Sequence, residues 1–150
     1  MPEPTALRLA TCRYRRFQPR MGFAVRATVG APRYKLDYPL AGHAVLISPT
    51  WPMLGLDRDE FQRRYLDRLA RTGLDAVAAE LAGIAAAHPP GPRLVLLCYE
   101  DLSRPGAWCH RTLFGSWWHS HTGVDVPEFA EPAPTGLFDL YPEPDGEPHA

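Results

Sequence analysis

Leu94-Val-Leu-Leu-Cys98-Tyr-Glu100 is a short apolar run that ends in a thiol and a carboxylate, and nine residues further on Cys109-His110-Arg111 adds a second thiol, an imidazole and a guanidinium. A thiol that opens a helix feels the positive end of the helix dipole, and a neighbouring Arg or protonated His lowers its pKa further. Cys109 is therefore the candidate nucleophile, with His110 beside it. Cys98 and Glu100 stand at the strand end, where Glu100 has the chemistry of a general acid or base. Arg111 and the helix N-terminus suit a phosphate or carboxylate. Arg13, Arg15 and Arg16 alternate with Tyr14 and Phe17, a mixture that holds nucleotides or single strands by charge and stacking, so these arginines are candidates to extend the anion site.

The same residues have plainer readings. Cys98 can be a core residue and Cys109 an inert helix start, and Arg-rich strand flanks are often solvated surface. A metal could draw on Cys98, Cys109 and His110 with Glu100, His119 or His121. The spacing lacks the close CxxC-type pairs of a zinc ribbon or finger, so no metal is expected. His119 and His121, two residues apart, do not share a helix face.

The elements that must position these groups follow from periodicity. Residues 7–11 and 23–28 read as strands, the second with Phe23, Val25 and Ala27 alternating against Arg26 and Thr28. Residues 43–48 (HAVLIS) form a short apolar run, the pattern of a strand covered on both faces. Asp57 with Glu60 resembles a capping box, and Phe61, Tyr65, Leu66 and Leu69 then recur at helical spacing up to a stop at Gly73. Asp75 opens a second helix, which ends before Pro89. Residues 93–98 are the most hydrophobic strand and read as central. A third helix from about Cys109 to Ser120 presents Leu113, Trp117 and Trp118, with one of the two adjacent tryptophans in the core and the other over a cleft or the tail. Residues 124–126 could add a short edge strand. Strands alternating with at least three helices predict a single three-layer α/β domain with a small, largely parallel sheet.

At 150 residues, 45% hydrophobic and 22% charged, the chain suits one soluble domain. No apolar run approaches the roughly 20 residues of a membrane span, and no signal peptide is legible, so a cytoplasmic protein is expected. Three scattered cysteines read as free thiols rather than a secreted disulfide framework. No GxGxxG or P-loop signature is present and no cofactor is expected.

The net charge of −1 conceals a split. Residues 1–35 carry eight basic side chains against Glu3 alone, whereas seven acidic residues and no Lys or Arg follow Arg111. Such asymmetry fits an anion-binding face with an acidic tail folding over it, or two ends that merely neutralise each other. Residues 127–150 form a Pro-rich acidic tail in which Phe129, Leu137, Phe138, Leu140 and Tyr141 are apolar enough to dock, and Phe138 and Tyr141 are expected to dock on the domain of residues 1–126, holding carboxylates near Arg13, Arg15 or Arg16.

A strand running into LLC-x-E, followed by a CHR triplet that opens a helix, resembles the domain of unknown function 488 family, with Leu96, Leu97, Cys98, Glu100, Cys109, His110 and Arg111 carrying the match. Thr11 to Tyr14 is similar to the family's early strand-end segment, and Val29-Gly30-Ala31-Pro32 stands where compact members carry a small-residue-Pro turn. The resemblance covers about residues 7 to 126. It implies an α/β fold, a site formed by the two segments, and an enzymatic role in nucleotide or nucleic-acid metabolism. The long acidic tail and the lack of a lysine-rich surface set this chain apart from larger members and weigh against a nucleic-acid partner.

Two functions are thus in competition. One is a small thiol/carboxylate-site enzyme acting on a phosphate-bearing or nucleotide-like ligand. The other is a non-catalytic module that binds a nucleotide or nucleic acid.

Overall fold

The computed structural model describes residues 6–90 and 93–129. Four parallel strands form its sheet: β1 (Leu9–Arg13), β2 (Phe23–Arg26), β3 (Gly42–His43) and β4 (Leu94–Cys98), in the order β1-β4-β2-β3. The apolar run 94–98 is central, as its composition predicts, and all five of its residues are buried. In register, Arg13 lies beside Cys98 on one flank and Arg26 beside Leu97 on the other. Here the α/β class and the parallel sheet of the sequence reading are both present.

Side chains alternate across a strand, so the sheet has two distinct faces. Leu9, Val25, Ala27, Leu94 and Leu96 pack with residues of α1 (Arg58–Thr72), α2 (Leu74–Ala86) and α3 (His110–Thr122). Ala10, Cys12, Ala24, Val95 and Leu97 face the other way. That side is covered by Tyr14, Phe17, Tyr34, Leu36 and Tyr38 from loops, so the third layer is irregular chain rather than helix.

The helices form where the capping and spacing demand. Asp57 accepts a hydrogen bond from the Glu60 amide at 2.9 Å, satisfying one of the orphan donors at the start of α1. Phe61, Tyr65 and Leu69, each four residues apart, then bury one stripe of α1. Full burial of such side chains contributes about 1.5–3 kcal/mol each. Gly73 stops α1 at φ 87°, and α3 ends at Gly123 with φ 74°, both in a region that favours glycine.

Two expectations are corrected. The HAVLIS run is not a strand along its length: only Gly42–His43 joins the sheet, and Val45–Ile47 turns into a 3₁₀ segment. Its backbone finds partners in helix side chains instead of a neighbouring strand. Glu80 accepts from the Leu46 amide, Tyr65 donates to the Ile47 carbonyl, and Arg68 donates to the Val45 and Ser48 carbonyls. Residues 124–126 form no strand either; instead Glu128 bridges Thr11 on the open edge of β1. Trp117 and Trp118 are both buried in the helix-side core, so neither is left over a cleft. No described helix is long and apolar enough to cross a membrane.

Candidate functional site

Cys98 is the last residue of β4, and Cys109 is the N-cap of α3. The loop between them brings the two sulfurs to 2.8 Å, within one hydrogen bond. His110 follows as the first residue of α3. Helical spacing places it on the same stripe as Phe114, Trp117 and Trp118, which is why a histidine at a helix start becomes a buried one. Tyr65 and Phe61 of α1 pack around its ring, with centroids at 5.4 and 6.4 Å.

The histidine's tautomer follows from its neighbours. Nε2 lies 2.6 Å from the Ala27 carbonyl oxygen, which can only accept, so Nε2 carries a hydrogen and donates. Nδ1 then faces the two sulfurs, 3.6 Å from Cys109 and 3.8 Å from Cys98. A ring fixed in this way presents its free lone pair to a thiol proton.

Burial disfavours an anion at either sulfur, yet the two thiols part company. Cys98 is pushed well above the ordinary thiol range by desolvation and by its contact with Cys109. Desolvation works against Cys109 as well, but the hydrogen bond with Cys98, the His110 ring and the Arg111 guanidinium outweigh it and bring this thiol well below that range. Of the two, Cys109 is the thiol whose surroundings favour the anion, and Cys98 the one whose surroundings favour the proton.

Arg111 is almost fully buried and still charged. Desolvation opposes its charge, but the nearby Cys109 and the Glu128 carboxylate more than compensate and raise its pKa. Its Nε donates to Glu128 Oε1 at 2.8 Å, and its Nη2 donates to Glu128 Oε2 at 3.1 Å and to the Glu100 carbonyl at 2.7 Å. Thr11 adds a third donor to the same carboxylate, Oγ1 to Oε1 at 2.7 Å.

The sequence candidates thus divide. Cys98, Cys109, His110 and Arg111 come together. Glu100 joins them through its main-chain carbonyl, which helps to hold Arg111. Arg13 is buried beside Cys98 in register and lies 4.0 Å from Asp101. Arg15 sits over the Tyr34 ring at 4.4 Å, on the sheet face away from the helices. Arg16 belongs to the turn after β1, where its amide donates to the Arg13 carbonyl. His119 pairs with Asp125 and His121 lies against Trp117.

Among the described residues, the metal-type donors that converge here are Cys98, Cys109 and His110, within 4.8 Å of one another. A closed tetrahedral zinc site needs four ligands, and bonds of about 2.3 Å would hold two sulfurs near 3.8 Å apart. The 2.8 Å sulfur contact is shorter, and Glu100, His119 and His121 do not complete the set.

Sequence reasoning missed three partners: Glu128, Thr11 and the Ala27 carbonyl. Glu128 had a visible signal, as the first acidic residue after the helix to follow a proline, but nothing in its spacing names Arg111. The docking expected of Phe138 and Tyr141 lies outside the described residues. Phe129 does dock, packing against the loop-covered face and lying 5.1 Å beneath the Arg93 guanidinium. No protein-family model, curated protein or solved structure matches the chain.

Proposed function

We propose that this protein is a thiol-dependent enzyme acting on a small substrate that bears a phosphate or carboxylate. Cys109 is the nucleophile, His110 takes its proton, Arg111 holds the substrate's anionic group, and Cys98 keeps a proton next to the attacking sulfur. The observation that carries this reading is the fixed His110 ring, whose Nδ1 lies 3.6 Å from the Cys109 sulfur while Nε2 is tied to the Ala27 carbonyl. A nucleophile beside a base that a third group orients is the general pattern of covalent catalysis. The resemblance to the domain of unknown function 488 family supports the same residues, because Cys98, Cys109, His110 and Arg111 belong to the two segments that carry it.

Nucleotide-like and phosphomonoester substrates are the class to assay first. A substrate found by turnover in the wild-type protein should bind Cys109→Ser with similar affinity and not be turned over. Undiminished turnover by Cys109→Ser would overturn the thiol mechanism. Binding without turnover in the wild type, equal in Cys109→Ser, would favour the non-catalytic module instead.

A further inference from the structure

We infer that Glu128 is a built-in occupant of the anion subsite, and that an external oxyanion, phosphate or carboxylate, binds by displacing it. The inference rests on the reading of Arg111 as the residue that holds the substrate's charge. Three donors from two separate elements, Arg111 Nε, Arg111 Nη2 and Thr11 Oγ1, converge on one carboxylate at 2.8, 3.1 and 2.7 Å. Such a fork-to-carboxylate arrangement accepts a phosphate or a substrate carboxylate with equal ease. The same side chain also keeps an unspent donor. Arg111 Nη1 is buried without a hydrogen-bond partner among the described residues, although the other two nitrogens are fully engaged.

The occupant sits on an exposed edge of the sheet. Residues 127–129 lie on the open edge of β1 through two backbone hydrogen bonds, Thr11 amide to Pro127 carbonyl and Phe129 amide to Thr11 carbonyl, at 2.9 and 2.8 Å. Beyond these, Phe129 packs on the loop-covered face and beneath Arg93. Glu128 is about a quarter exposed while the Arg111 side chain beneath it is 1% exposed, so the carboxylate is the cover and the guanidinium the floor. An ion pair that is reachable from solvent on one side exchanges partners more readily than one sealed in the core.

Two alkylating agents of similar size, iodoacetate and iodoacetamide, differ in the charge that Arg111 would recognise. Their rates at Cys109, resolved by peptide mass spectrometry, should change in ratio when Glu128 is replaced. Glu128→Ala, and Glu128→Gln as the shape-conserving variant, should raise the iodoacetate-to-iodoacetamide ratio by about tenfold, the scale of one charge-assisted contact. Inorganic phosphate should reverse that rise. In the wild-type protein, phosphate should also speed hydrogen exchange at the Phe129 amide, since that amide is released with Glu128. An unchanged ratio in both variants, or a Phe129 amide indifferent to phosphate, would overturn the inference and assign the ion pair a purely structural role. Failure of the underlying reading looks different: Cys109 would resist both reagents in every variant, while calorimetric binding of phosphate to Glu128→Ala would still decide the subsite by itself.

Discussion

At the scale of single residues, the site is a division of labour between two thiols that the backbone forces together. Both are buried and share His110 and Arg111 as neighbours, but the net effect differs: at Cys109 the hydrogen bond with Cys98, the His110 ring and Arg111 outweigh desolvation, whereas at Cys98 desolvation and Cys109 outweigh Arg111 and the Glu100 backbone. This asymmetry has a consequence for stability. The folded pKa of Cys109 lies below its unfolded value, near 8.5 for a free thiol. Between the two values the unfolded chain binds the extra proton, so the thiolate's contribution grows with pH, is complete above the unfolded value, and is lost as pH falls through the folded one. Cys98 has the opposite sign, with its contribution complete below the ordinary thiol range and lost as pH rises beyond it. The stability difference between wild type and Cys109→Ser, from urea unfolding, should therefore grow between about pH 5 and 8.5. A difference that stays flat over that range would mean that Cys109 is protonated in the folded protein.

At the scale of elements, α3 and the central strand were legible because each has a strong local pattern. The run 94–98 is apolar throughout, and Leu113, Trp117 and Trp118 marked α3 as a helix with an apolar side, although its buried stripe runs through His110, Phe114, Trp117 and Trp118 with Leu113 half-buried. What was not legible depends on partners distant in sequence. HAVLIS looks like a strand, yet Glu80, Tyr65 and Arg68 satisfy its backbone from helices that lie 18 to 34 residues away, and no local rule gives that outcome. The bridge from Glu128 to Thr11 spans 117 residues and is equally invisible to periodicity. Gly22, at the entry to β2, is a further element-scale constraint. Its φ is 146°, and a Cβ there would collide with the Arg93 carbonyl oxygen, which accepts the Phe23 amide hydrogen bond between β2 and β4. Gly22→Ala should therefore destabilise the fold by about 2 kcal/mol or more, read as a lower urea midpoint. A loss below about 0.5 kcal/mol, the range of an ordinary surface change, would show that the strand entry relaxes freely.

At the scale of the molecule, the parallel sheet places its reactive end at the carboxyl termini of β1 and β4, where α/β domains usually gather their sites. Among the described residues, Glu128 of the acidic end reaches Arg111, which lies outside the basic segment 1–35, rather than Arg13, Arg15 or Arg16. The whole arrangement stands on Cys109 being a thiolate when the protein is folded. Its alkylation by neutral iodoacetamide, followed at that residue from pH 5 to 10 in the native protein and in urea, measures this directly. Burial slows the reaction at every pH but does not move the pH at which the rate is half-maximal. The native midpoint should fall more than about one unit below the unfolded chain's value near 8.5. A native midpoint at or above that value would contradict the account.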